Sequence, residues 1–201
     1  SQYVATLNEL ARWSAYLPDG YEAQSYPDSQ TLFTLGQAAI YPTGSWEISL
    51  FNTQADFAMG AFKPYLPEGS DGTCYISDHT DIALGMNASI PEEKVEAART
   101  FLEWMTTAEF AEIYSNQLPG FFSLSNHSIS LTDPLAQEFL DWRGECESTI
   151  RNSYQILSRG EPNLENELWR LSAGVMNGTV SPEDAAAELQ AGLESWYAPQ
   201  Q

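Results

Sequence analysis

The chain has 201 residues, 43% of them apolar and 12% aromatic, enough to bury a substantial core as one large or two small domains. Lys and Arg total 8 against 28 Asp and Glu, a formal net charge of −20, and such a field repels nucleic-acid phosphates and anionic membrane surfaces. No run of about 18 apolar residues occurs, so no membrane-spanning helix is expected. The acidic residues are scattered rather than blocked, which suits a heavily hydrated surface in a salty or otherwise demanding exterior.

The chain opens directly on a helical pattern, with no basic-then-apolar targeting segment. Over residues 2–17, Tyr3, Leu7, Leu10 and Leu17 share one helical face, Val4 and Trp13 edge it, and Pro18-Asp19-Gly20 stops it. Asp28 is placed to cap a short helix over Ser29–Leu35 that stops at Gly36. Ala38–Tyr41 reads as a short buried strand that runs through the turn Pro42-Thr43-Gly44-Ser45 into a helix near Trp46. Phe57–Phe62 is the next predicted strand, followed by a Pro-, Gly- and Asp-rich loop from Lys63 to Gly72. Asp81–Ala88 is predicted as a further strand. Ser89-Ile90-Pro91-Glu92 then carries three helix-start signals, with Ser89 as the cap and Glu92 able to close a capping box. That helix should reach Met105 with Val95, Ala98, Phe101 and Leu102 on one face. A second begins at Thr106-Thr107 and Glu109 and ends near Asn116. Beyond the loop Leu118–Thr132, helices are predicted at Pro134–Trp142, Glu147–Ser158 and Leu164–Met176, and a last one opens at Ser181-Pro182-Glu183-Asp184 and runs to Tyr197. Short strands preceding helices, in a mostly helical chain without an internal repeat, predict an α/β fold.

Cys74 and Cys146 are the only cysteines. No CxxC or Cys/His spacing accompanies them, so no metal site is expected, and nothing in the sequence asks for a cofactor. Two readings stay open for them, a single disulfide in an exported protein or two buried thiols.

Taken in order, these pieces resemble the maltose-binding-protein-like family of periplasmic solute-binding proteins. Leu32-Phe33-Thr34-Leu35-Gly36-Gln37-Ala38-Ala39-Ile40 followed by Gly44-Ser45-Trp46 is similar to that family's "F-x-x-G-x-A-A-M … G-x-W" region. Ile82–Asn87, then Pro91–Thr107 and Glu109, resembles its strand and helix pair. Leu118-Pro119-Gly120 stands where the family has a "G-x-P" turn, and Gly178 to Leu193 resembles its closing "G-x-x-S/T-P-E-E-A-L" helix. The resemblance covers essentially this whole chain but only the second half of a typical member. It implies a two-lobed fold with discontinuous lobes: residues 1–81 and 129–201 in the carboxy-terminal lobe, and residues 82–128 packing on the amino-terminal lobe. It also implies the substrate-binding component of an ABC importer, periplasmic or extracellular and compatible with a lipoprotein anchor. Such a component is monomeric when full length. It takes a carbohydrate (oligosaccharide, disaccharide or small glycoside) into an inter-lobe cleft, closes by a hinge and delivers the ligand to a membrane permease, with no catalysis.

The resemblance brings Ser45 and Trp46 forward as ligand contacts. A strand-to-helix turn lies where open α/β sheets bind ligands, and an indole face suits the C–H face of a sugar ring. A core tryptophan is the competing reading. Asp78 and His79 lie in the polar run Ser77-Asp78-His79-Thr80-Asp81, in the loop that faces the cleft in the family. Carboxylates accept two hydroxyls at once, while a plain solvated loop explains the run equally well. Asn163 and Asn166 lie in Glu161-Pro162-Asn163-Leu164-Glu165-Asn166, another source of ligand contacts in the family, although helix capping accounts for one of them. Trp169 is assigned to the core because Leu168, Leu171 and Val175 accompany it. The alternative function is a carbohydrate-active hydrolase using Asp78 or Asp81 as acid or base, and a third is an interaction fragment with a vestigial cleft. No nucleophile elbow accompanies His79 and Asp81, and a pair of carboxylates for glycoside cleavage cannot be located from spacing.

Overall fold

Three amphipathic helices and their caps account for one of the two units into which the chain divides, Ser1–Ser25 with Arg151–Gln201; the other is Tyr26–Ile150. The computed structural model describes residues 2–63, 65–66, 69–78, 82–123, 126–149 and 156–198. Among them no helix is long and apolar enough to cross a membrane.

In the first unit, α1 (Gln2–Trp13) packs against α7 (Leu164–Met176) and α8 (Pro182–Trp196). Leu7, Leu171, Val175, Ala185 and Leu189 form the core, flanked by Leu10, Ala11, Leu168, Val180 and Ala186. Their i, i+3, i+4 and i+7 spacings put one apolar stripe of each helix inward, and each fully buried Leu contributes about 1.5–3 kcal/mol. Asn163 caps α7, and Ser181 caps α8 by accepting from the Asp184 N–H at 3.0 Å, with Pro182 in the first turn. Gly178 (φ 76°) turns the chain out of α7, and a Cβ on Gly174 would meet Val180 Cγ2 at 2.8 Å. The sequence places α7 and α8 correctly. It carries α1 four residues too far, because the chain tightens into a 3-10 turn at Ser14–Tyr16 before Pro18.

The second unit holds α2 (Tyr26–Thr34), α3 (Ile48–Gln54), α4 (Glu92–Trp104), α5 (Ala108–Gln117) and α6 (Pro134–Glu145). It also holds a parallel pair of strands, β1 (Tyr75–Ser77) and β2 (Glu147–Thr149), with Tyr75 opposite Glu147, Ile76 opposite Ser148 and Ser77 opposite Thr149. Cys74 and Cys146 are joined in a disulfide one residue before that register, with Cα atoms 5.0 Å apart, so the thiol alternative falls away. Phe33 from α2 and Phe51 from α3 meet at 4.8 Å, and Tyr41 and Phe57 pack on them, centroids 5.4–5.8 Å apart. Thr107 caps α5 by accepting from the Phe110 N–H, and Asp133 caps α6 by accepting from Ala136.

The result is a helix-rich chain with a small parallel sheet, which fits an α/β fold. Several predicted elements differ. Ala38–Tyr41, Phe57–Phe62 and residues 82–88 form no strand, because nothing among the described residues pairs with them and an isolated strand has no ladder to satisfy its backbone. Asp81 lies outside the described residues. Glu147–Ser158 is not a helix at its start: Glu147–Thr149 is held beside β1 by the disulfide at Cys146. Ser89 does not cap α4. Its N–H donates to Asn87 Oδ1 at 2.9 Å, and the helix begins three residues later, after Pro91. Asp28 lies inside the first turn of α2, not before it.

Candidate functional site

The turn Pro42-Thr43-Gly44-Ser45-Trp46 leads through a 3-10 segment, Ser45–Glu47, straight into α3. Gly44 is extended (φ −119°), so its backbone makes no demand for glycine. The demand is steric: a Cβ there would run into the six-membered ring of Trp46, which folds back over this residue. Ser45 Oγ donates to the Gly120 carbonyl at 2.7 Å. Gly120 sits at φ 96°, buried, and a Cβ on it would collide with the Ser45 carbonyl oxygen. The two glycine turns that carried the resemblance, Gly44-Ser45-Trp46 and Leu118-Pro119-Gly120, are therefore locked together across 75 residues of sequence.

Trp46 is 45% exposed and so is not a core residue. Its Nε1–H donates to Tyr26 Oη at 3.0 Å, the Tyr26 hydroxyl donates to Glu47 Oε1, and Gln30 Nε2 lies 2.9 Å from both Glu47 oxygens. Glu47 is only 3% exposed. Burial of the Tyr26 hydroxyl between these groups pushes its pKa above the ordinary tyrosine value, and its hydrogen bond to Glu47 adds to the rise. The Tyr26 residue as a whole is 54% exposed, while its hydroxyl is engaged by Trp46 and Glu47.

The other predicted site residues lie elsewhere. Asp78 directly follows β1, where Arg143 Nε donates to its Oδ2 at 2.8 Å and Ser148 Oγ approaches at 3.4 Å. That carboxylate ties the end of β1 to α6 and β2. His79 and Asp81 lie outside the described residues. Asn163 is occupied as a cap: its Oδ1 accepts from the Glu165 and Asn166 N–H groups, each at 3.1 Å, and its Nδ2 donates to the Ser158 carbonyl. Asn166 is exposed, and among the described residues its side chain makes no hydrogen bond. Thus Ser45 and Trp46 come together with Gly120, Asp78 belongs to the strand pair, and Asn163 and Asn166 belong to the first unit. Trp169 corrects the core reading: it is 68% exposed, because Leu168, Leu171 and Val175 take the inward face of α7 and residue 169 is turned about 100° from Leu168.

Sequence reasoning missed Tyr26, Gln30 and Glu47. With α2 starting at Tyr26, Tyr26 and Gln30 stand i, i+4 on one face, a signal hidden when the helix is begun at Ser29. Two shallow concavities lie beside the disulfide, one lined by Lys63, Leu66, Thr73, Glu145 and Glu147, the other by Lys63, Gln137, Asp141, Trp142 and Glu145. Trp46 lies in neither wall. Lys63 is not a free cation there, since it pairs with Glu145 at 2.5 Å.

The turn thus presents an exposed indole held by two glycine contacts. The family described as "Bacterial extracellular solute-binding protein" matches residues 2–138, well over half of the chain. The protein belongs to that family and is accordingly placed in the periplasmic or extracellular space, as a binder of small molecules that works with a membrane transporter. No curated protein and no solved structure matches the chain.

Proposed function

We propose that this protein captures a carbohydrate, an oligosaccharide, disaccharide or small glycoside, as the substrate-binding component of an ABC importer, delivers it to a membrane permease and catalyses nothing. Trp46 carries the reading: it is half exposed at a turn that leads into a helix, pinned from behind by Gly44 and from the side by the Ser45–Gly120 bond. An indole held in this way loses little conformational freedom when a sugar ring stacks on it. Ser45 acts by holding the turn, and Asp78 and His79 remain candidate hydroxyl partners.

The two-lobed arrangement belongs to the same proposal, with residues 1–81 and 129–201 in one lobe and residues 82–128 lying against the other. Ile82, Leu84 and Met86 support it. They alternate along a segment without regular secondary structure, each at least 43% exposed, as apolar residues of a strand are when its sheet neighbours lie in another part of the protein. Tryptophan fluorescence of the natural full-length protein, titrated with maltose, sucrose, trehalose and cellobiose, should change saturably with at least one of them in the unaltered protein but not in Trp46→Phe. A flat response to all four would remove the carbohydrate reading.

A further inference from the structure

We infer that Tyr26 is a second ring on which the ligand rests, continuous with Trp46, and that buried Glu47 is the positioning residue that fixes both rings; the inference rests on the carbohydrate reading above. The two residues meet through their polar tips, indole Nε1 to phenol Oη at 3.0 Å. Neither ring packs against another aromatic ring among the described residues, in contrast to Phe33, Phe51 and Phe110, which do. Both are about half exposed, Tyr26 at 54% and Trp46 at 45%. The rings therefore do not stack on each other, and each keeps exposed surface beside the hydrogen bond that joins them.

The hydrogen bonds run in one direction. The indole N–H donates to the phenol oxygen, the phenol O–H donates to Glu47, and the carboxylate also receives Gln30 Nε2. Every donor of the ring pair is used inside the protein, so what the pair offers a ligand is apolar ring face, the complement of a sugar's C–H face. Glu47 explains why the chain is built this way. Its carboxylate is 3% exposed and has no cationic partner among the described residues, only an amide and a phenol. Burying an unpaired anion is costly, and two neutral donors only partly offset that cost. An apolar residue at position 47 would stabilise the fold more but would leave the Tyr26 hydroxyl, and through it the Trp46 indole, without an anchor. Glu47 does not touch the ligand; it acts through Tyr26.

The test is titration calorimetry of the natural full-length protein with maltose, sucrose, trehalose and cellobiose, alongside Tyr26→Ala, Tyr26→Phe, Glu47→Ala and Glu47→Gln, each checked for its fold by circular dichroism. Tyr26→Ala should weaken binding at least about fivefold. Tyr26→Phe keeps the ring and cuts only the tether, so it should lose less. Glu47→Ala should match Tyr26→Phe, and Glu47→Gln, whose amide oxygen still accepts from Tyr26, should restore affinity to within about twofold. The unliganded protein gives an independent signal: Glu47→Ala should shift the Trp46 emission, measured as the difference from a Trp46→Phe background, and Glu47→Gln should not. Folded Tyr26→Ala with unchanged affinity sinks the second ring. Glu47→Gln as weak as Glu47→Ala, or an emission unmoved by Glu47→Ala, sinks the positioning role. If none of the four sugars binds the unaltered protein, the carbohydrate reading itself has failed and this inference falls with it.

Discussion

Truncating Trp46 separates recognition from packing, because the residue is 45% exposed and its loss opens no sealed cavity. Trp46→Ala should weaken sugar binding by about 1–3 kcal/mol, roughly a 5- to 150-fold rise in dissociation constant. Its melting temperature should fall less than for a core tryptophan, whose truncation costs about 3–5 kcal/mol. Normal affinity with a steep loss of melting temperature would return Trp46 to a purely structural role. Tyr26 makes a prediction about pH. Its folded-state pKa lies above the ordinary tyrosine value of about 10, chiefly because its hydroxyl is buried and then because it donates a hydrogen bond to Glu47. Below pH 10.0 this contribution to stability is complete; above it the unfolded chain ionises first, and the contribution is lost as pH rises through the folded value. Thermal melts between pH 8 and 11 should therefore show a smaller alkaline loss in Tyr26→Phe than in the unaltered protein. Equal losses would mean that the hydroxyl is not held as described.

At the scale of elements, two glycines with similar backbones should respond differently to the same change. Gly178 (φ 76°) faces open space, so Gly178→Ala carries only the left-handed penalty of about 1–2 kcal/mol. Gly120 (φ 96°) lies against the Ser45 carbonyl, so Gly120→Ala must also break the join between two turns. Urea unfolding should show Gly120→Ala as the more destabilising by at least about 1 kcal/mol; parity would contradict the packing of these turns. The disulfide closes a loop with a sequence separation of 72, and Cys74→Ser with Cys146→Ser should cost about 4 kcal/mol in the same assay. Helices were legible in the sequence because their signals are local: Thr107 and Ser181 stand at the starts of α5 and α8, although the Leu168–Leu171–Val175 stripe drew Trp169 wrongly into the core of α7. Strands were not. Apolar content marked Ala38–Tyr41 and Phe57–Phe62, which have no ladder among the described residues, and overlooked Glu147-Ser148-Thr149, which has one. That pairing depends on Cys74 far away, and the strand itself is exposed throughout. The candidate site divides in the same way. Gly44-Ser45-Trp46 could be proposed from the sequence, whereas Tyr26 meets Glu47 only after 21 residues of chain have folded back.

For the whole molecule, the 28 acidic residues against 8 basic bear on solubility, and under the proposed function they take no part in capturing a neutral sugar. Affinity should accordingly hold nearly constant from low to moderate salt, since a neutral ligand has no charge to screen. A tenfold loss would point to a charged ligand. The central claim, capture without chemistry, is tested most directly by one calorimetric titration of the natural full-length protein with maltose, sucrose, trehalose and cellobiose, following each injection to baseline. For at least one sugar the heats should saturate at one ligand per chain and return promptly to baseline. Sustained heat proportional to protein concentration would reveal turnover, and no heat with any of the four would remove the carbohydrate reading. Either result contradicts the account.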